Sequence, residues 1–246
     1  MKEEKPIELI HIVDDLDAKA IARGYYKDLA NSNIQQFIGI SNAKKLFTHY
    51  YLTPTINQTY VYDTPSQRYF LLDDSLEKRA AQSRLEALIV AFGYMGAMYV
   101  KGEVTELSKK ERQLNTNGGV TAKTVEINLD VKKQLIQELS KTISVERRYR
   151  DKSIKNYRDV EKYLVVNNLK NVDELEYRLK ELRDKGAVTG TYKVSTTLTH
   201  HLDSILSVGF KASITPFFKG NASLQKRFSS HTEIQYSLFV SFDEEA

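Results

Sequence analysis

The stretch IQYSLFVSF, Ile234 to Phe242, alternates without interruption. Ile234, Tyr236, Leu238, Val240 and Phe242 fall on one side, and Gln235, Ser237, Phe239 and Ser241 on the other. A period of two is the pleat of a β-strand; a helix cannot gather such a run onto one face. The length would suit a lipid-facing strand, which needs about 9 to 11 residues. A half-buried strand of a soluble antiparallel sheet accounts for the same pattern and is the expectation here. Phe239 on the polar side implies that this side too is partly covered, by a helix or by a neighbouring subunit.

The rest of the chain must supply partners for that strand. Tyr192, Val194, Thr196 and Leu198 alternate, as do Val208, Phe210, Ala212 and Ile214. Both read as strands, and residues 223–242 read as one long strand after a turn at FFKGNAS. Upstream, Met98, Val100 and Val104 oppose Lys101, Glu103 and Thr105. After a polar connection, SKKERQLNTNGG, Val125, Ile127, Leu129 and Val131 oppose Thr124, Glu126, Asn128 and Asp130. Asn117–Gly118–Gly119 is turn chemistry. Together these predict a long hairpin from Gly96 to Lys132, with positive φ at Gly118 or Gly119. Two shorter strands flank a Thr64–Pro65–Ser66 turn.

Helical signals lie between these. Leu9, Ile12, Val13, Leu16, Ala20 and Ile21 fall at helical spacing and predict a helix over residues 7–29, ended by Asn31, Ser32 and Asn33. Asp74 or Ser75 can cap a second helix. Its stripe of Ala81, Leu85, Leu88, Phe92 and Met95 reads as buried, and Gly93 or Gly96 supplies its stop. Residues 135–150 fit helix or strand. Residues 158–168 and NVDELEYRLKELRDKG read as a helical pair. In the second of these, Asn171 and Glu174 have capping-box spacing, Val172, Leu175, Leu179 and Leu182 are apolar, and Gly186 suits the C-terminal cap. The expected architecture is a single α+β domain over residues 1–246. It has a twisted antiparallel sheet of long hairpins, an N-terminal helix, a buried central helix, and a charged helical insertion over 150–186.

Composition narrows the chemistry. The 246 residues are 41% hydrophobic and 28% charged, with no cysteine, which excludes disulfides, thiolate metal sites and a cysteine nucleophile. The longest apolar run, Ala87 to Val100, has 14 residues, against roughly 20 for a transmembrane helix. No secretory core is visible near the N-terminus. The expectation is a soluble, cytoplasmic protein without an integral membrane segment. His200 and His201, with Asp203 nearby, hint at a metal site. Adjacent residues on a strand point to opposite faces, however, so the two histidines are not expected to share an ion. No phosphate-binding glycine loop and no GxSxG elbow is present. Asp14, Asp15 and Asp17 fall on the expected first helix, and Asp73 and Asp74 precede the second, where carboxylates suit a helix N-terminus. Glu103 with Lys101 is the nearest sketch of a nuclease-like pair. Neither catalytic residues, nor a metal, nor a cofactor is expected.

The strongest functional signal is KTISVERRYRDKSIKNYRD. Arg147, Arg148, Arg150, Lys152, Lys155 and Arg158 are interleaved with Tyr149 and Tyr157, and opposed by Glu146, Asp151 and Asp159. Such a segment can hold phosphates of nucleic acid or of anionic lipid, or it can form mutual ion pairs in a subunit contact. The contact reading is preferred, because the three carboxylates dilute a phosphate site. A hairpin, a helical insertion and a second long hairpin, in that order, is similar to the layout of perforin-like and gasdermin-like pore-forming proteins. Thr48 to Tyr51 (THYY) matches part of the perforin-like signature. Phe47, Tyr60 and Val61 stand where its glycines belong, so the chain is assigned to no family. The expected function is a non-enzymatic binding or self-assembly module, either a homo-oligomer or one with a protein partner. Its aromatic-rich strands and basic segment would be the contact surfaces. The alternatives are a membrane-active protein that inserts hairpins and an enzyme acting on a phosphate-bearing substrate or nucleic acid.

Overall fold

Leu9–Val13 is a strand, β1, buried at all five positions. The computed structural model describes residues 8–25, 35–48, 50, 52–115, 119–170, 172–213 and 222–243. The helix expected over 7–29 is thus corrected to β1 followed by α1 (Asp15–Ala22). Asp14 divides them, its carboxylate accepting from the backbone N–H groups of Leu16 and Asp17 at 2.8 Å each. An aspartate favours that N-cap over a helix interior. The β-branched Ile10, Ile12 and Val13 suit a strand covered on both faces, where no polar alternation is required. Asn31 to Asn33 lie outside the described residues.

β1 pairs in parallel with β2 (Gln35–Gly39) and antiparallel with β3 (Thr59–Asp63). β3 pairs with β4 (Arg68–Leu71) across the expected turn, giving the order β2-β1-β3-β4. This first sheet is therefore mixed rather than all-antiparallel. Ile10 and Ile12 face α2 (Ile40–Thr48) in a cluster with Phe47, Tyr60 and Tyr69. Leu9 and Val13 face the other way, into a cluster with Leu202, Ile205, Leu206, Leu224 and Phe228.

The second sheet is antiparallel. β5 (Tyr99–Leu114), β6 (Val120–Val125), β9 (Ser230–Ser241) and β8 (Thr191–Thr197) run in the order β6-β5-β9-β8, and β7 (Val145–Arg148) pairs with β5 beside β6. The expected hairpin exists, but the segment read as a polar connection continues β5 to Leu114, and the return strand stops at Val125. Leu129 and Val131 instead begin α4 (Leu129–Ile143), capped by Asn128. Gly118 lies outside the described residues, and Gly119 does not have the expected positive φ. A β-bulge between Val104 and Glu106 resets the alternation of β5, so Leu107 still faces the core.

The expected strand over 208–214 is corrected as well: residues up to Ser213 belong to α7 (Leu202–Ser213). The long strand over 223–242 is corrected to α8 (Ala222–Ser229) followed by β9. His200 and His201 sit in the turn before α7, not on a strand. The central helix, α3 (Leu76–Tyr94), follows Ser75 as N-cap, and its turn passes through Gly96 at φ +92°. Ala81, Leu85, Leu88, Phe92 and Met95 are all buried. The helical pair is α5 (Tyr157–Val166) and α6 (Asp173–Lys185), which ends on Gly186 at φ +75°. Val172 occupies the N-cap of α6, and Asn171 lies outside the described residues. Leu175 and Leu182 are buried, and Leu179 is partly so.

Two buried polar networks join the layers. Asp63 on β3 accepts from Ser66 Oγ at 2.7 Å and from Ser83 of α3, and stands 3.1 Å from His201 Nε2. Arg112 on β5 is fully buried and donates to Asp203, Ser207, the Phe228 carbonyl and His231.

Burial pushes His11 down to about 4; burial, then the Arg112 charge, does the same to His231. Both values lie below the ordinary 6.5, so the unfolded chain binds more protons between these limits. Stability is complete above about pH 6.5 and declines as the pH falls toward 4, by on the order of 3 kcal/mol per histidine. Urea unfolding at about pH 7 and about pH 4.5 should show that loss. A flat profile would mean that both rings are solvated in the folded state.

Candidate functional site: an open aromatic and basic sheet face

The alternation of β5 places Val100 and Val104 in the core and Tyr99, Lys101 and Glu103 on the opposite face. Paired residues of neighbouring strands share a face, so the register defines rows across the sheet. One row runs Arg148, Tyr99, Ser241, Thr191. The next runs Glu146, Lys101, Phe239, Lys193, and a third runs Glu103, Ser237, Ser195. Phe239 is 43% exposed and stands between two lysines. Of the two covers expected for it, a helix or a neighbouring subunit, the helix is absent among the described residues.

Tyr99 supports Phe239. Their rings meet edge to face at 6.1 Å and 69°. The Arg148 guanidinium lies 5.1 Å from the centre of the Tyr99 ring, within cation–π range. Tyr99 donates its hydroxyl to Glu146 Oε1 at 3.0 Å. Partial desolvation, then that bond, raises the phenol pKa, so Tyr99 remains a neutral donor. The result is two aromatic rings on a flat surface with Arg148, Lys101 and Lys193 around them.

The six basic residues read from the sequence do not form one cluster. Arg148 joins the open face, while Arg147 points to the opposite side of β7 by alternation. Arg150 is exposed in the loop that follows. Lys152 donates to the Phe242 carbonyl at 3.0 Å, and Lys155 lies 5.7 Å from the Tyr94 ring, both near the end of α3. Arg158 stays with Tyr157 on α5. Tyr149 donates to the Ile89 carbonyl and packs on Gly93, a supporting position. Among the described residues, none of the six cations, nor Lys101 or Lys193, is within ion-pair distance of a carboxylate.

Tyr99, Lys101, Lys193 and Phe239 were not among the residues singled out for binding. The one local signal was Phe239 itself, an aromatic on the polar side of an otherwise regular strand. The others come from strands distant in sequence, and only the register unites them.

A cleft of about 610 Å³ between β8 and the start of α6 is lined by Arg84, Glu174, Lys193, Gln235 and Tyr236, with His200 also contributing. No hydrogen-bonded nucleophile and base line it among the described residues. No helix there is long and apolar enough to cross a membrane. Set against protein-family models, curated proteins and solved structures, the chain matches none.

If Phe239 is a surface residue rather than part of a core, Phe239→Ala should cost no more than about 0.5 to 1.5 kcal/mol, the worth of its edge-to-face contact with Tyr99. Denaturant unfolding measures this. A loss of about 3 kcal/mol or more would mark Phe239 as core packing.

Proposed function

We propose that the chain is a non-enzymatic binding module for single-stranded nucleic acid, with the sheet face around Tyr99 and Phe239 as its contact surface. The observation that carries this reading is the row Lys101, Phe239, Lys193, in which an exposed ring lies between two cations without carboxylate partners. Bases stack on aromatic rings whatever their sequence, while cations track the phosphates. A duplex hides its base faces, so the platform discriminates in favour of unpaired strands. Arg150, exposed in the loop after β7, extends the positive surface from the edge of the sheet.

A second copy of the chain is a weaker occupant for this surface. The edge strand β7 carries Glu146, Arg147 and Arg148, and charge on an edge opposes pairing with another sheet. An anionic membrane would be met by the same cations, and its interface also takes up aromatic rings, so vesicle binding is the competing outcome of the test below.

Fluorescence anisotropy with a labelled single-stranded oligonucleotide tests the proposal. Binding should be nearly independent of base sequence and should weaken with salt. Each phosphate neutralised on a single strand contributes about 0.7 to the log–log slope, so three engaged cations give roughly −2. Phe239→Ala should weaken binding by about 1 to 3 kcal/mol, roughly 5- to 150-fold. Wild-type affinity in Phe239→Ala, or tighter binding to anionic vesicles than to the oligonucleotide, would contradict the reading. So would a change of solution mass on mutation without any binding of nucleic acid.

A further inference from the structure

Three side chains from two parts of the chain converge farther along the same sheet face. His200 lies in the turn before α7, Asp203 in its first turn, and Glu233 on β9. One ligating atom of each lies within 4.8 Å of the other two. Nδ1 of His200 stands 4.0 Å from Oε1 of Glu233. His200 is largely exposed, so a small rotation of its ring can bring that nitrogen to an ion.

The surroundings hold both carboxylates from behind. Oδ1 of Asp203 accepts from Arg112 Nη2 at 2.9 Å. Oε2 of Glu233 accepts from Ser108 Oγ at 3.3 Å and stands 3.5 Å from Lys110 Nζ. Each carboxylate therefore has one oxygen engaged and one available. His231 adds an independent observation. Its side chain is fully buried, and Nδ1 lies 3.0 Å from Arg112 Nη2. A guanidinium can only donate, so Nδ1 accepts and Nε2 carries the hydrogen. That Nε2 has no hydrogen-bond partner and stands 3.6 Å from Oδ1 of Asp203. This N–H lies just beyond hydrogen-bond reach of the oxygen that Arg112 already holds, so a small closing movement would add a second donor behind the Asp203 carboxylate, as ligating carboxylates usually have.

We propose that His200, Asp203 and Glu233 form a binding site for a divalent transition-metal ion of the Zn²⁺ type. One imidazole and two carboxylates suit such borderline ions, whereas Mg²⁺ and Ca²⁺ prefer ligand sets made wholly of oxygen. Three protein ligands leave further positions for water or an anionic ligand, as in open zinc sites. His200 also lines the 610 Å³ cleft, so those positions are accessible from it. Arg112 and Lys110 already balance the two carboxylates, which makes the affinity modest. Neither histidine spacing nor a motif reveals the site, because Glu233 is supplied by the pairing of β9. It does not depend on the nucleic-acid reading.

The test is titration of the full chain with Co²⁺, whose ligand-field absorption reports coordination, followed by competition with Zn²⁺ and Mg²⁺. One saturable equivalent should bind, Zn²⁺ should displace it, and Mg²⁺ should not. His200→Ala, a change at an exposed position, should weaken Co²⁺ binding at least about tenfold. His231→Gln, which leaves the three ligands in place, should weaken it by about 10- to 100-fold while circular dichroism stays unchanged. No ligand-field band, equal affinity in His200→Ala, or displacement by Mg²⁺ as effective as by Zn²⁺ would overturn the proposal.

Discussion

Arg112 is the constraint on which the arrangement of the two sheets depends. A guanidinium stays protonated, so burying it requires compensation for its charge and for its N–H groups. Burial lowers its pKa, and Asp203 opposes that shift. Nη2 donates to Asp203 Oδ1 and to His231 Nδ1, Nε to Ser207 Oγ at 3.2 Å, and Nη1 to the Phe228 carbonyl at 3.3 Å. These partners belong to α7, α8 and β9. One side chain of the second sheet thereby seats α7 and α8 upon it, and their apolar residues Leu202, Ile205, Leu206 and Phe228 close the core of the first sheet. Removing Asp203 would leave a buried charge without its counterion, at a cost of about 3 to 5 kcal/mol.

The same contact divides the outer face of the second sheet. The β-bulge after Val104 resets the alternation, so Tyr99, Lys101 and Glu103 share their face with Ser108, Lys110 and Arg112 farther along. At the Arg112 end that face is covered by α7 and α8. At the Tyr99 end, where β5, β7, β8 and β9 run side by side, nothing among the described residues covers it. An aromatic on that open end loses apolar burial, which for a phenylalanine is worth about 1.5 to 3 kcal/mol. Phe239 recovers part of this against Tyr99, and the remainder is available to a ligand.

The most regular patterns were legible before the fold was known. The alternation of Ile234 to Phe242, the stripe from Ala81 to Met95 and the glycine that ends α6 each record a single dominant contact surface. The α+β class follows from them. Where a segment serves two surfaces, periodicity misled. β1 is buried on both faces, so its apolar run also satisfies helical spacing, and only Asp14 marks the break. Val208 and Phe210 alternate within an amphipathic helix by coincidence of composition. Residues 108–114 look like a polar connection because Arg112 and Lys110 face buried partners that the sequence places about 90 to 125 positions away. The basic segment was visible as charge, but its division between an open face, a helix end and α5 was not. Lys101, Phe239 and Lys193 become neighbours only through strand register. Likewise His200 and Asp203 are close in sequence, while Glu233, on another element, joins them only through the fold.

The proposed contact surface for nucleic acid is the uncovered end of this sheet face. Photocrosslinking of the full chain to a single-stranded oligonucleotide carrying halogenated uridines, followed by mass spectrometry of the joined peptides, tests it directly. Crosslinks are expected at Phe239 and Tyr99, with peptides containing Lys101, Lys193 and Arg148 adjoining them. Crosslinks confined to α5 and α6, or to the first sheet, with Phe239 and Tyr99 unmodified, would contradict it.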